Sequence, residues 1–322
     1  MAEIGLNFPG DMRLSPHFAA AVRSRWLRVV LLPDVDLTTW IDEAHELGIK
    51  IIGAVARESI GEMTYEQAAE HYAELYDGRL DALQVGNESD HDSSSSWVMT
   101  PAELNALLLV FNEAFGFEIL IIGPGLVSGL PGYLLEVNLD LVDAIAVHPY
   151  GQRPNDSEDW SELPGNFGNV NDLLDGYAQF DRPIWITEVG VSTTECSETF
   201  QARYCMAMLS TLKQRTDVPV VCWFCADDAM VPKFGLFEVE PKLAVAAFIE
   251  AAEEDPVPAP NYTVGPGVLA KMTEDGTTPG SDECYYPVGV KPSQWSETMG
   301  KNGTIYRYLF ATNETYRFPP DQ

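Results

Sequence analysis

Apolar residues along the chain collect into eight short runs, each about as long as a buried β-strand. Successive runs start 23 to 40 residues apart, which leaves room for a helix between most neighbours. The runs are EIGLNF from Glu3, LRVVLL from Leu27, KIIGAV from Lys50, ALQVGN from Ala82, EILIIG from Glu118, DAIAVH from Asp143, PIWITE from Pro183 and PVVCWF from Pro219. Apolar strands that alternate with helices predict a parallel sheet covered by helices.

Two of the intervening segments begin with a capping box, in which a threonine is followed three residues later by Gln or Glu. Thr64 and Gln67 precede one helical pattern, and Thr100 and Glu103 precede another. Eight strand and helix units within about 250 residues predict an α/β fold of the (β/α)8 TIM-barrel class. An open, doubly wound sheet is the alternative, but no G-x-G-x-x-G motif follows the first run.

The pattern changes after residue 252. Residues 253–267, EEDPVPAPNYTVGPG, are rich in proline and glycine and predict a linker. Residues 268–322 lack helical periodicity and are rich in Tyr, Thr and Gly, so we expect a small β-rich C-terminal module. The predicted domains are a (β/α)8 barrel over 1–252, the linker over 253–267, and this module.

Composition narrows the choice of partners. The chain has 322 residues, with 19 Lys plus Arg against 49 Asp plus Glu, a net charge of -30. Such a surface repels nucleic-acid backbones and anionic lipids, so we expect neither nucleic acid nor a membrane as partner. No apolar run spans a bilayer, and the N-terminus lacks a signal-peptide pattern. We expect a soluble protein, cytoplasmic, or secreted or virion-associated if a signal was removed or is not needed.

Cysteine and acidic clusters offer two candidate metal or redox sites. Cys222 and Cys225 have C-x-x-C spacing but lie in an apolar strand rather than at a helix start, and the five cysteines favour free thiols. Asp90, His91 and Asp92 offer ligands for a cation, but the serine run that follows is more typical of a polar loop. We therefore predict no metal and no cofactor.

Polar and aromatic residues occur on or directly after several of the predicted strands. In a (β/α)8 barrel the C-terminal ends of the strands form the active-site face, so these side chains are predicted to converge there. The candidates are Arg28, Asn87, Glu88, His148, Tyr150, Glu188 and Trp223.

Five short motifs carry a family resemblance over roughly residues 3 to 250. VGNE at 85–88 and WITEVG at 185–190 are supported by VHPYG at 147–151, WLRVVLLP at 26–33 and CWF at 222–224. Together they resemble the retaining glycoside hydrolases of clan A, the 4/7 superfamily. Such enzymes hydrolyse O-glycosidic bonds of oligo- or polysaccharides by double displacement, through a covalent glycosyl-enzyme intermediate.

The resemblance implies a role for each candidate. Glu88 would be the acid/base and Glu188 the nucleophile, with Arg28 and Tyr150 keeping Glu188 ionised and oriented. Asn87 would bind the 2-hydroxyl of the sugar being cleaved.

The remaining candidates would complete the substrate site. His148 would fix neighbouring side chains or touch a hydroxyl, and Trp223 would form an apolar floor under the sugar. Four residues on loops beyond the strands could line further subsites: Phe8, Arg57, Trp97 and Trp160.

A second hypothesis comes from a different class of protein. The barrel could be a non-catalytic carbohydrate-binding or structural component of a virion or surface assembly. The aromatic residues of 268–322 would then serve as a docking surface or a glycan-binding part. The presence of both glutamates favours the enzyme.

Overall fold

The computed structural model describes most of the first 252 residues and parts of the remainder. The described ranges are 1–8, 14–91, 97–116, 119–127, 131–228, 231, 233–237, 241–252 and five strands between residues 269 and 318.

Eight parallel strands form one sheet within the described residues. The sheet order is β5-β4-β3-β2-β1-β8-β7-β6, and isolated parallel bridges from Ile122 to Ala144 and from Leu126 to Val147 close the seam between β5 and β6. The predicted (β/α)8 barrel is therefore confirmed. The strands are β1 (Glu3–Phe8), β2 (Trp26–Val30), β3 (Lys50–Val55), β4 (Ala82–Val85), β5 (Leu120–Ile122), β6 (Ile145–Val147), β7 (Ile184–Val189) and β8 (Val220–Trp223).

Helices occupy most of the connections between strands. Both predicted capping boxes form, with Thr64 and Thr100 each accepting a hydrogen bond from the backbone three residues on. The helices are α1 (Pro16–Ala21), α2 (Thr38–Glu46), α3 (Arg57–Ile60), α4 (Tyr65–Tyr76), α5 (Pro101–Phe115), α6 (Val170–Tyr177), α7 (Glu198–Lys213) and α8 (Leu243–Ala252).

Two connections depart from the simple alternation of strand and helix. The β5–β6 connection contains only short 3-10 helices in its described part, Pro131–Leu135 and Leu139–Leu141, and a third, Ala178–Phe180, follows α6. The β6–α6 loop carries a two-residue parallel ladder, Gln152–Arg153 with Gly168–Asn169.

An apolar layer fills the lower part of the barrel interior, mostly from the N-terminal halves of the strands. Its two largest members, Trp26 and Trp185, meet edge to face with ring centroids 5.0 Å apart. A Cβ at Gly5 would lie 2.6 Å from Cys222 Sγ, so a larger residue has no room there. The layer consists of Trp26, Ile52, Ala82, Ile122, Ala144, Ala146, Trp185, Val220 and Cys222.

Residues 253–322 form a separate unit. Every element described there is a strand, in keeping with the predicted β-rich module. Leu269–Lys271 pairs antiparallel with Tyr285–Pro287, and Trp295–Met299, Ile305–Leu309 and Glu314–Phe318 form an antiparallel meander. The predicted linker, 253–267, lies outside the described residues, so the domain assignment stays a prediction.

Two sequence expectations concern the described part of the chain as a whole. None of its helices combines the length and apolarity that crossing a membrane requires. Cys196, Cys205, Cys222 and Cys225 are free thiols, while Cys284 lies outside the described residues. Burial raises the pKa of Cys222 and that of Cys225 to about 12, which does not fit a redox pair.

Candidate active site

An irregularity in β7 aims Glu188 into the barrel. Val221 of β8 pairs with Ile186 and Trp223 pairs with Val189, so Thr187 and Glu188 together stand opposite one residue. In a regular strand, two consecutive side chains would point to opposite faces. The extra residue of a bulge changes that alternation, and here both side chains join the same polar cluster.

The Glu188 carboxylate is buried and held at both oxygens. Arg28 Nη1 donates to Oε1 at 2.7 Å, and the Tyr150 hydroxyl donates to Oε2 at 2.8 Å. Burial, and then the charge of Glu188, hold the pKa of Tyr150 well above its usual value, so its hydroxyl keeps the proton that it donates. The guanidinium and the hydroxyl together fix the orientation of the carboxylate.

Arg28 is itself fixed by a set of side-chain acceptors. Its Nε donates to Gln84 Oε1 at 2.8 Å, Nη1 to Asn7 Oδ1 at 2.7 Å, and Nη2 to Asn87 Oδ1 at 2.8 Å. Only 3% of the Arg28 side chain is exposed, so the guanidinium cannot swing away to water. The network fixes the position of Glu188 and, through Asn87, links β7 to the end of β4.

Glu88 stands just beyond β4 on a left-handed backbone. Its φ is 52°, and Gly86 before it has a φ of 88°, so the chain turns sharply there. The Glu88 N–H donates to Gly125 O at 2.8 Å, which fixes this turn against the segment after β5. A side chain other than glycine at positive φ costs about 1 kcal/mol or more, and such strain gathers at functional positions.

His148 lies between the two carboxylates and is fully buried. Its Nδ1 is 3.3 Å from Glu88 Oε1 and 3.7 Å from Glu188 Oε2, and its Nε2 is 3.0 Å from Thr187 Oγ1. The backbone of Gly125 abuts the ring so closely that a Cβ there would lie 2.1 Å from Nε2. His148 therefore fixes neighbouring side chains.

The two carboxylates meet at the mouth of the barrel. A carboxylate oxygen of Glu88, one of Glu188 and a ring nitrogen of His148 all lie within 4.8 Å of one another. Three such ligands could contact a cation, but Arg28 and Tyr150 already occupy the oxygens of Glu188, and a second cation beside the guanidinium would be repelled. The arrangement is better suited to proton transfer and nucleophilic attack than to metal binding.

Comparison with known proteins identifies the family. Residues 61–240, which include both glutamates, match the model of the family described as glycosyl hydrolase catalytic core. The chain belongs to this family. No curated protein matches the sequence of this glycoside hydrolase.

Solved structures of other glycosidases share its fold. A GH128 (subgroup I) endo-beta-1,3-glucanase from Amycolatopsis mediterranei, in complex with laminaritriose, aligns with a TM-score of 0.57 and 17% identity over 78% of this chain and 100% of that one. A family 39 glycoside hydrolase from Bacteroides cellulosilyticus aligns with a TM-score of 0.58 and 14% identity over 95% and 70% of the two chains. A beta-glucuronidase from Faecalibacterium prausnitzii gives a TM-score of 0.60 and 14% identity over 80% and 49%. At these identities the likeness concerns the fold.

Six of the seven predicted site residues of this glycoside hydrolase come together at the barrel mouth. They are Arg28, Asn87, Glu88, His148, Tyr150 and Glu188. Because Asn87 Oδ1 accepts from Arg28, the amide is oriented with Nδ2 as the donor that a substrate can use.

Trp223 does not join this cluster, which corrects its predicted place as the apolar floor under the sugar. It is fully buried, and its ring lies 6.3 Å from that of Tyr204 on α7, so it faces the outer helices. The next residue, Phe224, is only half-buried and packs edge to face on Tyr150 and Phe234. Phe224 thus occupies the apolar position that Trp223 was expected to take.

The loop residues proposed for outer subsites differ in how far they are buried. Phe8 and Trp160 are buried, Phe8 against Phe18 and Trp160 against Phe200. Trp97 is half-buried and meets Tyr65 edge to face. Arg57 is exposed at the start of α3, and Asp92 of the possible cation cluster lies outside the described residues.

Sequence reasoning missed three polar residues that complete the network of this glycoside hydrolase. Asn7 and Gln84 hold Arg28, and Thr187 contacts His148. Each is a polar side chain inside an otherwise apolar strand. Such residues are buried only with hydrogen-bond partners, and that signal could have identified them.

Proposed function

We propose that this glycoside hydrolase cleaves O-glycosidic bonds of an oligo- or polysaccharide with retention of anomeric configuration. The observation that carries the proposal is the approach of the Glu88 and Glu188 oxygens to within 4.8 Å. Retaining enzymes place their carboxyl groups about 5 to 5.5 Å apart, whereas inverting enzymes separate them by about 6.5 to 9.5 Å to admit a water. The short approach supports direct attack by one carboxylate.

Glu188 is the nucleophile in this proposal. Its carboxylate attacks the anomeric carbon and forms the glycosyl-enzyme ester as the glycosidic bond breaks. Arg28 and Tyr150 orient the attacking group and keep it ionised before attack. In the second step they stabilise the carboxylate as it leaves again.

Glu88 is the acid/base. It protonates the glycosidic oxygen as the leaving group departs, and then takes a proton from the water that attacks the ester. Its side chain is 12% exposed against 9% for Glu188, and its Oε1 lies 3.3 Å from His148 Nδ1, whereas Oε1 of Glu188 is bound by the Arg28 guanidinium. The carboxylate bound by this permanent cation is the better nucleophile, which leaves Glu88 to carry the proton.

Asn87 and Phe224 complete the subsite in which the cleaved sugar would bind. The oriented Asn87 amide would donate Nδ2–H to the 2-hydroxyl, a contact that strengthens as positive charge develops on the ring. Phe224 would supply the apolar contact. The laminaritriose complex of the Amycolatopsis enzyme makes β-1,3-glucans the first substrates to test.

A screen of the purified protein against aryl glycosides and β-glucans tests the proposal. We expect hydrolysis by the wild type, none by Glu188→Gln, and a first product of the same anomeric configuration as the substrate when the reaction is followed by NMR. A product of inverted configuration would exclude the double displacement.

The non-catalytic alternative makes a different prediction for the C-terminal module, whose docking partner or glycan stays a proposal. Deletion of residues 253–322 should leave hydrolysis of a soluble substrate intact if the barrel is the enzyme. A wild type that binds a glycan, hydrolyses none and loses binding on this deletion would favour the alternative.

A further inference from the structure

An exposed aromatic ring stands on the loop between β6 and α6. Phe167 is 76% exposed, the most exposed aromatic side chain among the described residues. A single exposed apolar residue is ordinary on a protein surface and needs no explanation by itself. The way in which this loop holds the ring is what sets Phe167 apart.

Two glycines make room for the ring. A Cβ at Gly151 would lie 2.7 Å from the Phe167 ring, and one at Gly165 would lie 2.6 Å from it. Both glycines have positive φ, 71° and 81°, so the loop takes a conformation that other residues rarely adopt. One side of the ring thus rests on bare backbone, while most of its surface remains open to solvent.

The base of the loop is fixed to the barrel. The Phe167 N–H donates to Gly151 O at 2.9 Å, and the short ladder between Gln152–Arg153 and Gly168–Asn169 begins beside it. Tyr204 of α7 donates to Gln152 O at 2.9 Å. These contacts hold Phe167 in a defined position before any ligand binds, so little entropy is lost on binding.

A polar cavity of about 350 Å³ opens in the same loop. Arg153 and Asn166 line it and hydrogen-bond to each other at 3.3 Å, and Arg153 also pairs with Asp156 at 3.1 Å. The acidic side chains Glu158 and Asp159 complete much of the lining. Because Arg153 is already paired, this cavity favours a neutral, hydroxyl-rich ligand over an anion.

The loop starts at the catalytic face. Gly151, on which the ring rests, directly follows Tyr150, whose hydroxyl donates to Glu188. An aromatic platform next to polar groups, on a loop that leaves the barrel mouth, suits a sugar ring with an apolar C–H face and hydroxyl edges.

We propose that Phe167, with Arg153 and Asn166, forms a distal subsite for a neutral pyranosyl residue of the substrate. This residue lies one or more units from the bond that is cleaved. The inference rests on the proposed glycosidase function and adds to it that the substrate is a chain of uncharged sugars rather than a single glycoside.

The test measures kcat/KM against chain length, from an aryl monoglycoside through laminaribiose to laminarihexaose, or along the corresponding series for whichever glycan the wild type cleaves. Phe167→Ala should lower kcat/KM roughly three- to tenfold on the longer oligosaccharides and leave the aryl glycoside unchanged. Phe167→Trp should retain the wild-type length dependence, because it keeps a flat ring, and Phe167→Leu should lose it. Leu109→Ala removes an apolar side chain that is 45% exposed on α5 and serves as the matched control, with no effect at any length.

A loss that is equal on the aryl glycoside and on long chains, or no loss at any length, would overturn the subsite. If the proposed glycosidase function itself is wrong, the wild type will hydrolyse none of the substrates, so this outcome is distinguishable from a wrong subsite. In that case, titration of Glu188→Gln and of the Glu188→Gln/Phe167→Ala double variant with laminarihexaose decides the point. Weaker binding by the double variant supports the subsite, and equal or absent binding contradicts it.

Discussion

The barrel interior has two layers that come from the same strands but differ in chemistry. The lower layer is the apolar one, and the upper layer is the polar cluster around Glu188. On β2, Trp26 belongs to the apolar layer, and Arg28, two residues on, holds Glu188. On β7, Trp185 belongs to the apolar layer and Thr187 to the polar one. Since alternate residues of a strand share a face, one inward-facing row runs from apolar packing to the polar cluster.

The two layers contribute differently to the protein. Apolar burial below stabilises the fold by about 25 cal/mol for each Å² removed from water. Above, Arg28 and Glu188 are buried ions, whose desolvation offsets much of their mutual attraction. Substitutions in the lower layer should therefore reduce stability, whereas substitutions in the upper layer should reduce catalysis.

The largest loss of activity is expected from substitution of Glu188 in the upper layer. Glu188→Ala should abolish turnover of every substrate, because no carboxylate remains to attack. Azide should restore a product of inverted configuration, since a small nucleophile can enter the space left by the side chain. Rates and product configuration are measured by NMR, with Glu195→Ala, an exposed glutamate of the following loop, as the control that should remain active. Full activity of Glu188→Ala would contradict the nucleophile assignment.

Glu88 should show a loss that depends on the leaving group. Glu88→Ala is expected to lower kcat roughly 10² to 10⁴-fold on substrates whose leaving group needs a proton, because general acid catalysis contributes about that much. Substrates with activated aryl leaving groups should still form the glycosyl-enzyme, which mass spectrometry detects. Equal losses on both substrate classes would argue against the acid role.

Asn87 should show a smaller effect, confined to the transition state. Asn87→Ala is expected to lower kcat about a hundredfold and to change KM less, because the 2-hydroxyl contact strengthens as charge develops. The substitution also removes an acceptor from Arg28, so the sugar contact needs its own test. A 2-deoxy substrate provides it, since it should react slowly with the wild type and lose little more with Asn87→Ala. Fully additive losses would mean that the two groups are not partners.

The lower layer should respond in stability instead. Trp185→Ala is expected to reduce the free energy of unfolding by about 3 to 5 kcal/mol, because it leaves a cavity beside Trp26. Denaturant titration measures this, and kcat/KM per folded molecule should stay at the wild-type value. Trp185→Phe keeps an aromatic contact and should lose less. A specific fall in kcat with unchanged stability would break the separation of the layers.

The smallest expected effect is a slowing of the alkylation of two cysteines in the native protein. Burial raises the pKa of Cys222, in the lower layer, to about 12, whereas burial raises that of half-buried Cys196 to about 11. At pH 8 the thiolate fraction of each thiol is therefore below that of a free cysteine, and both should alkylate slowly in the native protein. Peptide mapping should show Cys222 labelled only after unfolding. Rapid native labelling of Cys222 would mean that the lower layer opens readily.

The strands and the two glutamates could be predicted from the sequence because each signal is local. Apolar runs mark buried strands, and a charged residue at the end of such a run stands out. The outward orientation of Trp223 could not be predicted in the same way. Since β8 is buried on both faces, no polar alternation shows which of its residues face the barrel interior, and on this strand Cys222 rather than Trp223 belongs to the interior layer.

The subsite on the β6–α6 loop could not be predicted either. The exposure of Phe167 depends on the positive φ of Gly151 and Gly165, which the sequence permits but does not require. Trp160, in the same loop, has a more obvious sugar-binding side chain and is nevertheless buried against Phe200 and Tyr204. Loop conformation decided which aromatic side chain reached the surface.

The irregular pairing of β7 with β8 bears on how activity in such a barrel can be gained or lost. Thr187 and Glu188 together oppose one residue, so deletion of a single residue there would restore regular pairing. Such a deletion would keep the hydrogen-bonded ladder, yet only one of the two side chains would still face the interior. Loss of a single residue at this position would then turn a hydrolase into an inactive barrel of the same fold. Among relatives, the length of this strand should therefore report activity better than overall sequence identity.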